Sequence, residues 1–484
     1  MDMVRGREIS RKGYGDRMSG HSVLVSMLKL SEVAPDAEKA RLRSVVKAHM
    51  LADTCRDLLL DMPTYLVGQA RALREDKRVV PAEPGTLNKV FGAMDRVVHI
   101  RPGFALGLAM SSERIENYET INGENLKAWY IGDGMTYLYD GDLQQFGEDF
   151  WPTVNAYRMP GTTVDTRERK AETLPFAPGL LYADGYKSPE SWVGGSSLFG
   201  EFGMAGMALK AFESTLQAKK SWFMVDDEIV CLGAGIVSRD NRTIETIVEN
   251  RKLNDSMRYR FELEGVPVLT HNGGLSTENP AWVHFEGSDE GTSVGYYFLE
   301  PARVHLLRET RTGSWYEISQ PYGDKTPIVK DYFTMWIDHG KNPREATFAY
   351  VLLPGSNLEQ TLLYARNPNV RVLANTPQVQ AVRHRTEGVT GINFWEAGSL
   401  PQAGVSVSAP ASVILRETED ELWIGLSDPT HKQNEPVTLE VERAAESVLL
   451  DNPRVTVLST MPVVKLQVDL SGTLGQTLAV KLKK

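Results

Sequence analysis

Short runs of β-branched and aromatic residues fill this chain from about residue 87 to its end. Each run is bounded by Gly, Asp or Asn, as at Ser221–Val225, Glu228–Val237 and Val294–Phe298. Such runs predict β-strands. Because few helical stretches separate them, we expect antiparallel strands that stack as sheets. The strand pattern is interrupted by Asn-Pro-Asn at residues 367–369, so we predict a large β-sandwich before this point and a smaller C-terminal one after it.

A helical pattern precedes the strands. Apolar residues recur at three- and four-residue spacing over His21–Val33 and Asp36–Met62, and Thr64–Leu73 is a third candidate helix. The charged, Pro-containing stretch Glu75–Gly85 predicts a linker. Apolar stripes of this kind need partner helices, and three helices are too few for a complete helical domain. We therefore expect a mainly β protein with an N-terminal α-helical remnant.

Composition excludes several classes of protein. Hydrophobic residues make up 42% and charged residues 24%, as in soluble globular proteins, and the net charge of -10 argues against a nucleic-acid partner. No apolar stretch reaches about 18 residues, so we expect no membrane span. Cys55 and Cys231 are the only cysteines; two buried free thiols are expected, with one bridge between them left open. The nine histidines show no metal-ligand spacing, so no metal or other cofactor is expected.

Aromatic residues alternate with Gly, Asp and Asn between Tyr118 and Asp165. Rings cover the apolar faces of sugars while amides and carboxylates reach the hydroxyls, so the pattern suits a sugar-binding groove. Ordinary packing between strands is the alternative. Two further β signals, Trp129–Ile131 within this stretch and Trp315–Ile318 beyond it, predict additional strands.

Seven short blocks carry a resemblance to a known family. In chain order they are Met3–Arg11 (MVRGREISR), Asn122–Asn125 (NGEN), Gly132–Tyr139 (GDGMTYLY), Asp149–Pro152 (DFWP), Pro160–Thr163 (PGTT), Lys220–Phe223 (KSWF) and Gly233–Ile236 (GAGI). Their types and order resemble polysaccharide lyase family 8, which holds hyaluronate, chondroitin AC and xanthan lyases. The resemblance implies the end of an incomplete (α/α) toroid in residues 1–80, a central antiparallel β-sandwich lyase domain in 81–368 and a C-terminal β-sandwich in 369–484.

The resemblance also implies a reaction. Lyases of this family cleave beside a uronic acid by β-elimination: one group neutralises the C5 carboxylate, a base removes the neighbouring proton, and an acid protonates the leaving glycosidic oxygen. In the family an Asn, a His and a Tyr do this, upstream of the Arg-rich block at which this chain starts. We therefore expect the chain to be an N-terminally shortened part of a longer one, without those three residues and with little or no activity alone.

Partners and location follow from the same resemblance. It implies an acidic polysaccharide as substrate (hyaluronan, chondroitin or a xanthan-like polymer), an intact enzyme that is a monomer, and an extracellular location. The N-terminal sequence MDMVRGREISRKG lacks the apolar core of a signal peptide, which agrees with a start inside a longer chain.

Five residues are candidates for the site. Arg7 and Arg11 match the family's R-x-x-x-R block, which holds the catalytic tyrosine and contacts the anionic sugar, and Arg5 is a third member. Guanidinium forks bind carboxylates bidentately, and a nearby cation lowers a phenol's pKa. Glu119 and Asn122 match an E-x-x-N pattern, so Asn122 is expected to bind the sugar and Glu119 to orient the arginines and the tyrosine. The alternatives are a solvated arginine face and an Asn-Gly hairpin turn.

The sequence is also compatible with two other functions. A non-catalytic carbohydrate-binding β-sandwich protein would share the strand pattern and the aromatic residues. The carboxylates of Asp226, Asp227 and Glu228 suggest a glycoside hydrolase, whose chemistry needs a carboxylate pair. Neighbours on a strand point to opposite faces, however, so a polar turn before the next strand is the favoured interpretation.

Overall fold

The structure of the 484-residue chain is a computed structural model. It describes residues 3–4, 7–8, 18–83, 85–118, 125–147, 149–171, 186–254, 258–287, 289, 291–319 and 323–484.

The N-terminal part is helical and begins with a small hairpin. Its elements are strands β1 (Met3–Val4) and β2 (Arg7–Glu8) and helices α1 (Met18–Val33), α2 (Asp36–Ala52) and α3 (Thr64–Glu75). All three predicted helices are present. The second ends ten residues early because the Asp53 carboxylate accepts the backbone N–H groups of Cys55 and Arg56, which turns the chain. A 3₁₀ turn at Leu58–Asp61 follows.

Three antiparallel sheets follow in the described residues up to Pro354. Their strands, with two one-turn helices between them, are β3 (Leu87–Phe91), β4 (Arg96–Arg101), β5 (Phe104–Ala109), β6 (Met135–Tyr139), α4 (Phe150–Thr153), β7 (Thr163–Asp165), β8 (Val193–Leu198), β9 (Phe202–Lys210), β10 (Gln217–Val225), β11 (Glu228–Val237), β12 (Thr243–Leu253), β13 (Arg260–Leu263), β14 (Val266–Val268), β15 (Gly273–Glu278), β16 (Trp282–Glu286), β17 (Val294–Phe298), β18 (Arg303–Gly313), α5 (Trp315–Ile318), β19 (Ile328–Lys341) and β20 (Ala346–Pro354). The sheet orders are β3-β4-β5-β6, β15-β18-β19-β12-β7 and β14-β13-β16-β17-β20-β11-β10-β9-β8.

The remaining residues form one helix and two more antiparallel sheets. They are α6 (Leu358–Arg366), β21 (Val370–Asn375), β22 (Val379–His384), β23 (Val389–Phe394), β24 (Gly398–Leu400), β25 (Val405–Val407), β26 (Ala411–Glu417), β27 (Glu421–Ser427), β28 (Val437–Val441), β29 (Ser447–Leu450), β30 (Val455–Ser459), β31 (Val464–Val468) and β32 (Leu478–Lys483). The orders are β21-β22-β23-β26-β27-β32-β29 and β24-β25-β28-β31-β30. The mainly β fold with its N-terminal helices is confirmed, while the domain bounds at residues 80 and 368 stay predictions.

Strands β10 and β11 are buried on both faces. Trp222 and Met224 point into the core shared with the five-stranded sheet β15-β18-β19-β12-β7, where they join Phe333. The alternate residue Phe223 points the other way, into a cluster with Ile414 of the C-terminal sandwich. Because both faces are covered, these strands are almost continuously apolar, which made them easy to predict.

Two predicted strands are wrong. At Trp129–Ile131 the backbone makes successive turns, with Ile131 N–H donating to the Ala128 carbonyl. At Trp315–Ile318 it makes one helical turn, closed by the Ser319 N–H on the Trp315 carbonyl. Both segments are rich in large apolar side chains because they pack into the core, and that burial does not require an extended backbone.

Cys55 is exposed and Cys231 is buried, and both are free thiols, so the expectation of two buried thiols is wrong for Cys55. None of the described helices is both long and apolar enough to cross a membrane. Among the described residues, no three His, Cys, Asp or Glu side chains are placed to hold a metal ion together.

Candidate active site

Three of the sequence blocks meet at one buried lysine. Lys220, on β10, is 1% exposed, and its ammonium donates to the carbonyl of Gly161 at 2.5 Å and to the carbonyl of Asp133 at 3.3 Å. Asp133 precedes β6, and Gly161 lies in the PGTT block before β7. One side chain thereby joins segments that are 59 and 87 residues away in sequence.

Two glycines allow this close approach. Gly134 has φ +90°, and a Cβ there would lie 2.9 Å from both the Lys220 nitrogen and the Trp222 ring. Gly161 has φ +81°, and its Cβ would lie 2.6 Å from the Gly134 carbonyl oxygen. Any other residue would be strained in its backbone and would push these segments apart. Gly134 and Gly161 are therefore required by packing.

The charges around Lys220 compensate one another. Burial lowers the pKa of Lys220 to about 7, opposed by the nearby Asp133 carboxylate. Burial raises the pKa of Asp133 to about 6, opposed by the charges of Lys220 and Arg169 and by hydrogen bonds from Asn117 and Ser111. Each charge makes the burial of the other less costly, so loss of either one alone leaves its partner's charge uncompensated.

The aromatic stretch does not form an open groove. Trp129, Tyr137, Tyr139 and Phe150 are each 1% exposed or less. Phe150 packs edge to face against Trp151, with ring centroids 5.0 Å apart, in the core beneath the four-stranded sheet β3-β4-β5-β6. The sugar-binding interpretation is therefore wrong for these rings, and packing between strands explains them.

Most of the predicted site residues fall outside the described part of the chain. These are Arg5, Arg11, Glu119 and Asn122. Arg7 is described by its backbone alone, which pairs with Val4 in a hairpin that lies against helix α1. The roles assigned to all five therefore stay predictions.

The described residues on either side of residues 119–124 are firmly anchored. Asn117 donates from its side-chain amide to the Trp129 carbonyl at 2.9 Å, and its backbone N–H donates to the Tyr186 carbonyl at 3.0 Å. On the other side, Leu126 N–H donates to the Ile318 carbonyl at 2.7 Å. Hydrogen bonds thus hold Asn117 and Leu126 in place on the sandwich.

Sequence reasoning did not identify Asn117, Asp133 and Lys220 as the residues that organise this region. A signal for two of them was present, because a lysine inside an apolar strand and an aspartate between glycines are both unusual. Their roles rest on contacts between distant segments, which one sequence does not show.

The rival carboxylates lie at the turn between β10 and β11. Asp226 lies in a turn with φ +54°, which confirms the predicted polar turn. Glu228 begins β11, and its carboxylate accepts hydrogen bonds from the Tyr364 hydroxyl at 2.9 Å and the Asn369 amide at 3.2 Å. Both of its oxygens are therefore engaged in holding α6 and the residue before β21.

An aromatic and charged surface lies on the five-stranded sheet. The Arg158 guanidinium makes a two-pronged bond to the Glu245 carboxylate at 2.8 and 2.9 Å and lies 3.7 Å from the centre of the Trp336 ring. His305 also stacks on Trp336, with ring centroids 5.0 Å apart. Because Glu245 occupies the fork of Arg158, this arginine is held as a structural group.

Comparisons with known proteins give a consistent result. The sequence model for the super-sandwich domain of polysaccharide lyase family 8 matches residues 86–365, and the model for that family's C-terminal beta-sandwich domain matches residues 371–437. A xanthan lyase from Bacillus sp. (strain GL1) is 42% identical over 99% of this chain and 50% of its own length. A hyaluronate lyase from Thermasporomyces composti is 36% identical over 99% of this chain and 60% of its own length.

The solved structures agree with the sequences. The structure of a Paenibacillus xanthan lyase superposes with a TM-score of 0.93 and 38% identity, covering 100% of this chain and 46% of that protein. The chain therefore spans about half the length of the relatives it matches.

Proposed function

This chain belongs to polysaccharide lyase family 8, and we propose that the polypeptide carrying it cleaves a uronic-acid-containing polysaccharide by β-elimination. The substrate class is that of hyaluronan, chondroitin and xanthan. The observation that carries the proposal is the family match across both sandwiches, together with the junction at Lys220, where blocks of the family pattern pack on one another.

The chemistry sets the demands on the site. The proton on C5 of a uronic acid becomes acidic only when the adjacent carboxylate is neutralised, and a fixed array of donors does this best in a site from which water is excluded. A base then takes the proton and an acid protonates the leaving oxygen, each with a pKa tuned near the working pH. Electrons move from the C5–H bond into a C4–C5 double bond as the C4–O bond breaks.

This chain supplies supporting groups in the proposal. Arg7 and Arg11 provide cations for the anionic sugar and for the phenol of the tyrosine, and Arg5 adds a third cation to this group. Asn122 hydrogen-bonds the sugar, and Glu119 orients the arginines. The overall charge of -10 repels an acidic polymer, so such a local basic cluster is what attracts it to the cleft.

Cellular context is part of the proposal. A polysaccharide substrate is too large to enter a cell, so we place the enzyme outside it. We also propose that the enzyme acts as a monomer, because one protomer binds one stretch of polymer.

The proposed reaction is tested by identifying its product. The polypeptide, as its gene encodes it, is incubated with hyaluronan, chondroitin and xanthan, and the product is followed by ultraviolet absorbance and mass spectrometry. We expect an unsaturated uronic acid, whose mass is one water lower than that of a hydrolysis product. Arg260→Ala is the matched control for Arg7→Ala, because Arg260 on β13 is 80% exposed and its ion pair with Glu286, at 3.8 Å, is long. Equal rates for the two variants would refute the assigned role of Arg7.

A further inference from the structure

A serine, a histidine and an aspartate are joined in sequence by hydrogen bonds on the five-stranded sheet. Ser276 lies on the edge strand β15, His305 lies opposite it on β18, and Asp338 lies on the next strand, β19. The Ser276 hydroxyl is 2.6 Å from His305 Nδ1, and the Asp338 carboxylate is 3.4 Å from His305 Nε2. Val304 and Leu306 on either side of the histidine point into the core, so this group occupies the outer face. Nucleophile, base and carboxylate in this order make a catalytic triad, which is recognised by geometry and not by position in the chain.

The hydrogen bonds determine which imidazole nitrogen carries the proton. A carboxylate only accepts hydrogen bonds, so His305 Nε2 donates to Asp338 and Nδ1 keeps its lone pair. The Ser276 hydroxyl then donates to Nδ1, which is the contact that a general base needs with its nucleophile. The other carboxylate oxygen of Asp338 accepts the Gly340 N–H at 2.7 Å, so the group that orients the imidazole is itself held in place.

Two further side chains complete the arrangement. The Trp336 ring stacks on the imidazole of His305, with ring centroids 5.0 Å apart and planes at 6°, which restricts the orientation of the base. Arg303 is 52% exposed and two residues before His305, so it lies on the same face, with its guanidinium 3.3 Å from Glu278 and 3.5 Å from Asp338. A cation beside the nucleophile stabilises the oxyanion that forms during acyl transfer.

We propose that Ser276, His305, Asp338 and Arg303, the Ser276 site, hydrolyse carboxylic esters through an acyl-serine. Ser276 Oγ attacks the carbonyl carbon while its proton passes to His305 Nδ1, and Arg303 supplies the cation for the negative oxygen. The ester C–O bond breaks, and the leaving alkoxide takes the proton from Nδ1. Water then attacks the acyl group by the same steps, which releases a carboxylic acid and restores the serine. The reaction is separate from the proposed β-elimination, which uses no serine nucleophile.

A serine-directed reagent tests the nucleophile. The chain is treated with diisopropyl fluorophosphate, the modified peptide is identified by mass spectrometry, and turnover of p-nitrophenyl acetate is measured on untreated samples. We expect the label on Ser276 and repeated turnover, and both should be lost in Ser276→Ala. Both should be slower by about 100-fold or more in His305→Gln, because a general base contributes at least that much. Asp338→Asn should also be much slower, because an asparagine amide that donates to Nε2 selects the wrong tautomer.

Two control variants separate this site from ordinary surface reactivity. Thr270→Ala removes an exposed hydroxyl that also lies beside an imidazole, 3.3 Å from His271 Nδ1, and His271→Gln removes that imidazole. Both controls should keep the labelling and the turnover of the unmodified chain. Equal losses in the controls, or labelling of Ser276 that is unchanged in His305→Gln and Asp338→Asn, would overturn the proposal.

Labelling and turnover are both required. Ser276 is exposed, so Ser276→Ala should keep its melting temperature, and its loss of reaction then cannot come from unfolding. No label on Ser276 in the unmodified chain would show that its contact with His305 is only a hydrogen bond between strands, and would overturn the proposal. Label without turnover would show a reactive serine that does not hydrolyse esters, and would overturn it as well. Neither result bears on the proposed lyase, which is judged by its unsaturated product.

Discussion

Replacing Lys220 by methionine tests how the blocks are held together. The variant keeps a long apolar side chain but leaves the carbonyls of Gly161 and Asp133 without this donor. An unsatisfied buried acceptor costs about 1–3 kcal/mol, and removing one partner of a buried charged pair costs about 3–5 kcal/mol. The lysine's own desolvation, visible in its lowered pKa, is relieved and offsets part of this. We expect the free energy of unfolding to fall by about 2–4 kcal/mol.

Urea unfolding followed by tryptophan fluorescence measures this loss. A double-mutant cycle with Asp133→Asn measures the coupling between the two charges. The double variant should lose less free energy of unfolding than the two single variants lose together, because each substitution removes the charge that the other residue compensates. Lys89→Met, at an exposed position of β3, is the control and should stay within about 0.5 kcal/mol of the unmodified chain. A similarly small change in Lys220→Met would show that the junction does not depend on its ammonium.

Four further predictions concern pH, two residues of the site and the helices. Burial lowers the pKa of His99 to about 4 from 6.5; the unfolded chain therefore takes up this proton first, and stability present above pH 6.5 should fall by up to about 3 kcal/mol as the pH drops to 4. His99→Gln should flatten that slope in urea titrations at several pH values, and an unchanged slope would contradict the assignment. Steady-state kinetics on the gene-encoded polypeptide should show turnover lower by tens to thousands of fold in Arg7→Ala, since an uncompensated charge in a cleft costs about 2–5 kcal/mol, with partial recovery in Arg7→Lys. Asn122→Ala should raise KM more than it lowers kcat, because a neutral hydrogen bond is worth about 0.5–1.5 kcal/mol. Hydrogen exchange should show less protection in α2 than in β10, because apolar side chains such as Leu51, 50% exposed, leave this helix poorly covered, and equal protection would refute this.

Strands were predictable from the sequence where a buried apolar run is bounded on both sides by turn-forming residues. Glu228–Val237 and Val294–Phe298 match the structure to the residue because each is an apolar run ended by turn residues. The strand prediction for Trp129–Ile131 was wrong because aromatic residues indicate burial and not an extended backbone. Here the backbone turns, and the turns place the rings in the core. Helix α6 was missed although its signal was readable: Asn357 and Gln360 form a reciprocal capping box at its start.

The site was predictable in part, for a different reason. Resemblance identified the blocks, but their meeting at Lys220 depends on contacts between segments far apart in sequence. The burial of Tyr137 and Tyr139 likewise depends on which sheet covers them. The sequence alone therefore did not decide whether these rings line a sugar-binding groove or pack in the core.

The central claim is tested most directly by the chemical form of the cleaved product. The gene-encoded polypeptide is incubated with hyaluronan and xanthan, and ultraviolet absorbance and new reducing ends are recorded on the same samples. The account predicts that the absorbance of a C4–C5 double bond conjugated to the carboxylate rises in equal proportion to the reducing ends. New reducing ends without that absorbance would show hydrolysis and would contradict it.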